Sequence, residues 1–328
     1  MNILLTGAFG NVGTSTLREL ILAGHHVRCF DLPTQANRTA FAIHHRNYGD
    51  RIEVMWGDLR QPADVATAVT GQEVVVHMAF IIPKMSATGV ESESRPDWAR
   101  EINVGGTQNV IAAIKSTSGT TQPKLLFTSS YHVFGRTQDQ PPPRTVLDAV
   151  QPQEHYSRHK VECEQLIRAA GLEWCIFRLS AALPFAIKLD PGMFDVPLDN
   201  RIEFVHSRDV GLAIAGAVSH PEVWGKLMLI GGGTRCQYYY REIVQRILDV
   251  VGVGMLPAEA FSTVPYPTDW VDSSESQRLF NYQHRDLGDY ISEMKAALGP
   301  RRGLIRAVRP LARRVLLSKS TYYAQAHG

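Results

Sequence analysis

The chain has 328 residues, 44% of them hydrophobic and 20% charged, with a formal net charge of +2. That balance excludes a disordered or small disulfide-stapled chain and predicts a soluble globular protein with a sizeable core. No apolar run is long enough to span a bilayer, and the start lacks the basic region and long apolar stretch of a secretory leader.

The first thirty-one residues carry the strongest signal. Asn2 to Thr6 reads as a short buried strand. It runs into Gly7-Ala8-Phe9-Gly10-Asn11-Val12-Gly13 and then into a helical pattern over 12–24. A second apolar run, 26–31, ends on Asp31. Strand, glycine turn, helix, strand and acid form the order that a dinucleotide site requires. Glycines let the backbone approach a pyrophosphate, and the helix N-terminus offers free N–H groups and a positive dipole end. Asp31 can accept from the adenosine ribose hydroxyls and would repel a 2′-phosphate, which favours NAD over NADP.

Further strands are predicted near 52–56, 74–79, 124–130 and 173–179, alternating with helices near 35–46, 62–69, 97–117 and 152–171. Strands as apolar as Val74-Val75-Val76 and Leu125-Leu126-Phe127 suit a parallel sheet covered on both faces. The expected architecture is a doubly wound parallel α/β sheet, Rossmann-like, with a small C-terminal substrate lobe. The second half predicts strands near 202–205 and 226–231 and helices near 209–219, 239–251, 284–297 and 303–318, with 255–272 irregular. The expected division is 1–180 for dinucleotide binding, 181–300 for a substrate lobe interleaved with the core, and 301–328 for a basic C-terminal tail.

Two segments carry the chemistry. Thr128-Ser129-Ser130-Tyr131-His132 closes the fifth strand, and Tyr156-Ser157-Arg158-His159-Lys160 opens a helix. Tyr156 and Lys160, four residues apart, share a helix face. A cation beside a phenol is expected to lower the tyrosine pKa toward neutrality, as proton exchange with a carbonyl/alcohol pair requires. Ser130 at the strand end can bond the same substrate oxygen. The four cysteines, Cys29, Cys163, Cys175 and Cys236, have no metal-ligand spacing. They are expected to be reduced and mostly buried, which predicts a cytoplasmic protein without a metal.

These residues resemble the extended short-chain dehydrogenase/reductase family of NAD-dependent epimerases and dehydratases, over roughly residues 1–235. The resemblance rests on Gly7, Gly10 and Gly13; on Gly57-Asp58-Leu59, His77-Met78-Ala79-Phe80 and Asn103-Val104-Gly105-Gly106-Thr107; and on Phe177-Arg178-Leu179 and Val205-His206-Ser207-Arg208-Asp209. It implies Tyr156 as general acid/base, Lys160 on the nicotinamide ribose, and Ser130 orienting the substrate oxygen. It implies cofactor contacts from Gly7, Phe9, Gly10, Asn11, Val12, Asp31, Asp58, Leu59, Met78, Ala79, Phe80, Asn103, Tyr156, Lys160 and Leu179. It also implies a homodimer paired through the helices near 97–117 and 152–171.

The chain departs from the family's nucleotide-sugar pattern. Only about 25 residues separate Arg178 from Val205, and Ala181 stands where an asparagine often meets a sugar pyrophosphate. A small or rather apolar substrate is therefore expected, with Lys84, Tyr131, His132, Ser180, Phe194 and His206 as candidate contacts. The expected function is an NAD-dependent oxidoreductase on a carbonyl/alcohol group, with Tyr156 as acid/base; the alternatives are an epimerase/dehydratase with tightly bound NAD acting on a sugar or nucleotide-sugar, and a non-catalytic dinucleotide-binding protein.

After Glu293 there are eight Lys and Arg and no acid, which leaves a net −6 on the rest. Apolar residues interleave with these cations. The resulting basic amphipathic helix, kinked or split at Pro310, either docks on the body or touches an anionic membrane surface or a partner. The acidic body argues against nucleic acid.

Overall fold

The computed structural model describes residues 1–83, 89–117, 122–184 and 191–327. Its centre is a sheet of seven parallel strands: β1 (Asn2–Thr6), β2 (His26–Asp31), β3 (Ile52–Trp56), β4 (Val74–His77), β5 (Lys124–Ser130), β6 (Trp174–Leu179) and β8 (Lys226–Ile230). The order is β3-β2-β1-β4-β5-β6-β8. It reverses direction between β1 and β4, so a crevice opens at the carboxyl ends of those two strands.

Strand alternation sorts the core. Ile3, Leu5, Val27, Cys29, Val74 and Val76 face the helices Asn11–Leu22 and Ser207–Val218. Leu4, Phe30, Val75, Leu125 and Phe127 face the helices Pro62–Val69, Gly106–Lys115 and His155–Ala169. Gly211 lets the first two helices close: a Cβ there would meet the Ser15 carbonyl oxygen at 2.8 Å. All four cysteines are buried and free.

The predicted helix over 97–117 is three pieces. Pro96–Arg100 is α-helical, Glu101–Gly105 is a π-turn and Gly106–Lys115 resumes the α-helix. The wide turn surrounds Asn103.

The lobe has its own core, including Phe194, Ile202, Phe204, Ile243, Phe261 and Leu287. It holds a two-stranded antiparallel sheet of β7 (Arg201–Glu203) and β9 (Gln237–Tyr239). Three elements of the second half are absent from the sequence prediction: β9, the helix Ser274–Phe280, which packs on the main-sheet core, and the helix Thr321–His327, which packs on the lobe. Strand β8 and the helix Ser207–Val218 return to the main sheet, so the second half of the chain completes the first.

The predicted 303–318 helix divides at Val308 into Arg301–Ala307 and Arg309–Leu317. Pro310 sits in the first turn of the second piece, where its missing N–H costs nothing. Ile305, Ala312, Leu316 and Leu317 pack on the lobe. A last helix, Thr321–His327, follows. No described helix is long and apolar enough to cross a membrane.

Candidate active site

The glycine turn is built as its spacing requires. Gly7 has φ +67°, a left-handed conformation, and a Cβ there would lie 2.9 Å from the Ala79 backbone. At Gly13 a Cβ would meet the Gly7 carbonyl oxygen at 2.0 Å, so the helix approaches the turn as only glycine permits. The helix begins after Gly10 with no side-chain cap, which leaves first-turn N–H groups to bind an anion. Asn11 donates to the Ala182 carbonyl at 3.2 Å and Val12 packs on the core.

Asp31 ends β2 beneath this turn. It accepts from the Phe9 N–H (3.1 Å), the Leu32 N–H (2.9 Å) and the Asn37 amide (3.0 Å). Burial pushes its pKa up, and these bonds oppose the shift. Asp58 is turned to Arg60, at 2.6 Å, and this hydrogen bond holds its carboxyl below the usual value. Leu59 is buried, and its carbonyl accepts from Asn109.

One threonine organises the end of β4. The Thr6 hydroxyl accepts from the N–H groups of Met78 (3.0 Å) and Ala79 (3.1 Å) and lies 2.8 Å from His77 Nδ1. His77 Nε2 lies 3.0 Å from the Thr107 hydroxyl, which donates to the Asn103 carbonyl at 2.6 Å. With both backbone N–H groups pointing at Thr6, its proton goes to His77 and the imidazole carries its own proton on Nε2. Burial and the nearby Lys160 charge lower the His77 pKa to about 3. Asn103 bonds both backbone groups of Ile81, accepting at 2.6 Å and donating at 3.0 Å. It thus fixes the segment Met78–Ile81 along the crevice rather than capping a helix.

Ser130, Tyr156 and Lys160 come together at the ends of β5 and the helix His155–Ala169. The Ser130 hydroxyl accepts from the His132 N–H at 3.2 Å. Tyr156 is flanked edge-on by Phe80 and His132, with ring centroids at 5.8 and 5.9 Å. His132 Nδ1 donates to Glu154 at 2.9 Å. Burial acts against the charge of Glu154, but the His132 contact holds its carboxyl below the usual range. Leu179, opposite Ser130 in register, borders the same strand ends.

The expected electrostatics of the pair need correction. Lys160 lies 5.7 Å from the Tyr156 ring, yet burial raises the Tyr156 pKa to about 12, and hydrogen bonding to Ser130 offsets only part of the rise. The Lys160 ammonium donates to the Thr128 carbonyl at 2.6 Å and sits 3.4 Å from the centre of the Phe80 ring. Burial lowers its pKa to about 7. Helical spacing places the two side chains together, but desolvation dominates both titrations.

The substrate candidates divide. His132 stands beside Tyr156. Ser180 is buried next to the strand ends, and its hydroxyl has no hydrogen-bond partner among the described residues. Three others are packing residues. Tyr131 is buried against Val133, Leu229 and Val271, and Phe194 lies in the lobe core. His206 is buried as the N-cap of the helix Ser207–Val218, with Nε2 3.5 Å from Glu293. Lys84 lies outside the described residues.

A model of the NAD-dependent epimerase/dehydratase family matches residues 3–183. The chain belongs to that family. Its cofactor is NAD, and the glycine turn, the uncapped helix and Asp31 fit that group. A 3-beta-hydroxysteroid dehydrogenase of Mycolicibacterium neoaurum is 34% identical over 116 residues, covering 34% of this chain and 28% of that protein. The short-chain dehydrogenase/reductase family 42E member 1 of Bos taurus is 31% identical over 174 residues, 52% of this chain and 40% of its own. The chain thus matches well under two thirds of the length of these relatives. Among solved structures, a dTDP-glucose 4,6-dehydratase from Streptomyces venezuelae with bound NAD shares the fold at TM-score 0.74 and 22% identity, covering 93% of this chain and 98% of that one. A UDP-glucose-4-epimerase from Stenotrophomonas maltophila does so at TM-score 0.73 and 20% identity, covering 91% and 98%.

In this epimerase/dehydratase chain several supporting residues escaped the sequence reading. Glu93 accepts from the N–H groups of His155 (3.1 Å) and Tyr156 (2.9 Å), capping the helix that carries the tyrosine. Glu164 and Arg178 form a buried two-point ion pair, at 3.0 and 2.7 Å, that ties this helix to β6. Thr6 and Glu93 act across more than sixty residues of chain, which no local pattern reveals.

Proposed function

We propose that the protein is an NAD-dependent oxidoreductase acting on a carbonyl/alcohol group of a small, rather apolar substrate. The observation that carries this reading is the enclosure of Tyr156 by Phe80 and His132 beside the Ser130 hydroxyl. A polar sugar ring gains little from such walls, whereas a flat apolar alcohol buries surface against them. The hydroxysteroid dehydrogenase named among the relatives supports the same class.

NAD, when bound, supplies or accepts the hydride. The residues of this chain do the rest. The turn Gly7–Gly13 and the first-turn N–H groups of Asn11 and Val12 hold the pyrophosphate, and Asp31 takes the adenosine ribose and disfavours NADP. Met78, Ala79, Phe80 and Leu179 line the nicotinamide side, with Asn103 bracing that wall; Asp58 and Leu59 border the adenine. Lys160 binds the nicotinamide ribose. Ser130 bonds the substrate oxygen, and Tyr156, a phenol across the neutral range, gives that oxygen a proton in the reductive direction; in the oxidative direction its phenolate takes the alcohol proton. Glu154 orients His132 against the substrate.

A second reading keeps NAD tightly bound and makes the chain an epimerase or dehydratase; the solved structures of that kind with the same fold favour it. We further propose a homodimer paired through the helices Gly106–Lys115 and His155–Ala169, and a cytoplasmic site of action, in keeping with four free thiols.

Calorimetric titration with NAD and NADP, followed by an absorbance screen at 340 nm with hydroxysteroids and other apolar alcohols and ketones, tests the reading. Preferential NAD binding with a substrate-dependent absorbance change supports it. Cofactor that co-purifies with the protein, with no net absorbance change on any substrate, shifts the assignment to the second reading.

A further inference from the structure

The C-terminal helices present two apolar faces, and among the described residues only one is covered. Ile305, Ala312, Leu316 and Leu317 pack on the lobe. Leu304 on the first helix, Val308 at the break, and Leu311 and Val315, four residues apart on the second helix, are 71, 51, 63 and 48% exposed. Scattered exposed leucines are ordinary, but four exposed apolar side chains within residues 304–315 of docked helices make a contact surface.

This surface is held rigidly. Arg302 donates to the Val250 carbonyl at 2.9 Å and Arg309 to that of Val253 at 2.9 Å. Arg313 reaches the Met255 carbonyl at 2.6 Å and those of Val253 and Gly254 at 3.2 Å. These arginines clamp the inner face to the lobe, while Arg301, Arg306, Arg314 and Lys319 remain exposed. Beside this surface opens a cleft of about 750 Å³ bordered by Arg309, Arg313, Arg314, Ser318 and Tyr323.

We propose that this face docks on an anionic phospholipid surface. The four apolar side chains enter the boundary between headgroups and acyl chains, the exposed cations meet lipid phosphates, and the arginine-bordered cleft receives one headgroup. Charge selects the occupant: the last thirty-five residues contain no acid, so a two-fold contact with a second copy would set cations against cations, whereas an anionic bilayer complements them. The inference stands apart from the substrate assignment.

The test is co-sedimentation of the 328-residue chain with phosphatidylcholine vesicles and with phosphatidylcholine–phosphatidylglycerol vesicles. The expected result is binding to the mixed vesicles alone, weakened by salt as screened charge requires. Leu304→Asp/Leu311→Asp and Arg314→Glu/Lys319→Glu are each expected to weaken it roughly tenfold or more at an unchanged melting temperature and unchanged NAD affinity. Failure to bind mixed vesicles, equal binding to both kinds, or variants that bind like the parent overturns the proposal. So does a self-association that the same variants abolish while vesicle binding is absent. If the aspartate variant does not fold, the charge-reversal variant decides.

Discussion

The Lys160 ammonium lies 3.4 Å from the centre of the Phe80 ring and donates to the Thr128 carbonyl. The residue that a simple reading of the helix face assigns to lowering the tyrosine pKa is thus held by an aromatic wall and a strand end. Its charge is weakened by burial, with a pKa near 7, while Tyr156 stays a phenol to about 12.

Phe80→Ala is expected to admit water to Lys160 and reverse this. Hydration raises the Lys160 pKa, the cation persists to higher pH, and its field lowers the Tyr156 pKa. Alcohol oxidation needs the phenolate, so its rise with pH moves to lower pH in the variant. Carbonyl reduction, which needs the phenol, stays flat through the neutral range in the parent. The pH profile of kcat/KM in both directions checks this, and superimposable parent and variant profiles contradict it.

Asp31→Ala removes the acceptor for the Phe9 and Leu32 N–H groups and for Asn37. A stability loss of about 1–3 kcal/mol is expected from the unpaired donors. NAD affinity is expected to fall about tenfold, about 1.4 kcal/mol, with a smaller loss for NADP because the repulsion of its 2′-phosphate also disappears. Thermal melting and calorimetric titration measure the two effects separately. An NAD/NADP affinity ratio equal to the parent's counts against the assigned role.

The buried His77 predicts a pH dependence of stability. Its folded pKa is near 3, below the ordinary value of 6.5, so between these values the unfolded chain binds a proton that the folded chain refuses. The contribution is complete above pH 6.5 and is lost on acidification, at up to about 1.4 kcal/mol per pH unit. His77→Gln is expected to reduce the slope of unfolding free energy between pH 4 and 6 by one proton. Equal slopes in parent and variant refute the account of this hydrogen-bond chain.

Most of the sheet is legible because its strands are short, nearly all-apolar runs such as Val74-Val75-Val76, and because the glycine turn leaves one arrangement for Gly7 and Gly13. Ser130, Tyr156 and Lys160 follow from strand end and helix spacing. Strand β9 is not legible: it is three residues long and pairs only with another three-residue strand. Nor is the helix Ser274–Phe280, whose Ser-Glu-Ser-Gln start has no apolar periodicity. Spacing also says nothing of desolvation, so the Lys160–Tyr156 electrostatics reverse the expectation. The tail shows why pattern and environment differ: the interleaved Leu and Arg residues announce an amphipathic helix, but which apolar face is covered depends on the lobe surface beneath it.

The central claim is that Tyr156 moves the proton in an NAD-dependent redox reaction, and Tyr156→Phe tests it most directly. Turnover by parent and variant is followed at 340 nm on a substrate identified for the parent, alongside NAD titration. The account predicts a loss of at least about a hundredfold in kcat, as expected for removal of a general acid/base, with NAD affinity within about threefold. Retention of parent turnover by the phenylalanine variant would contradict it.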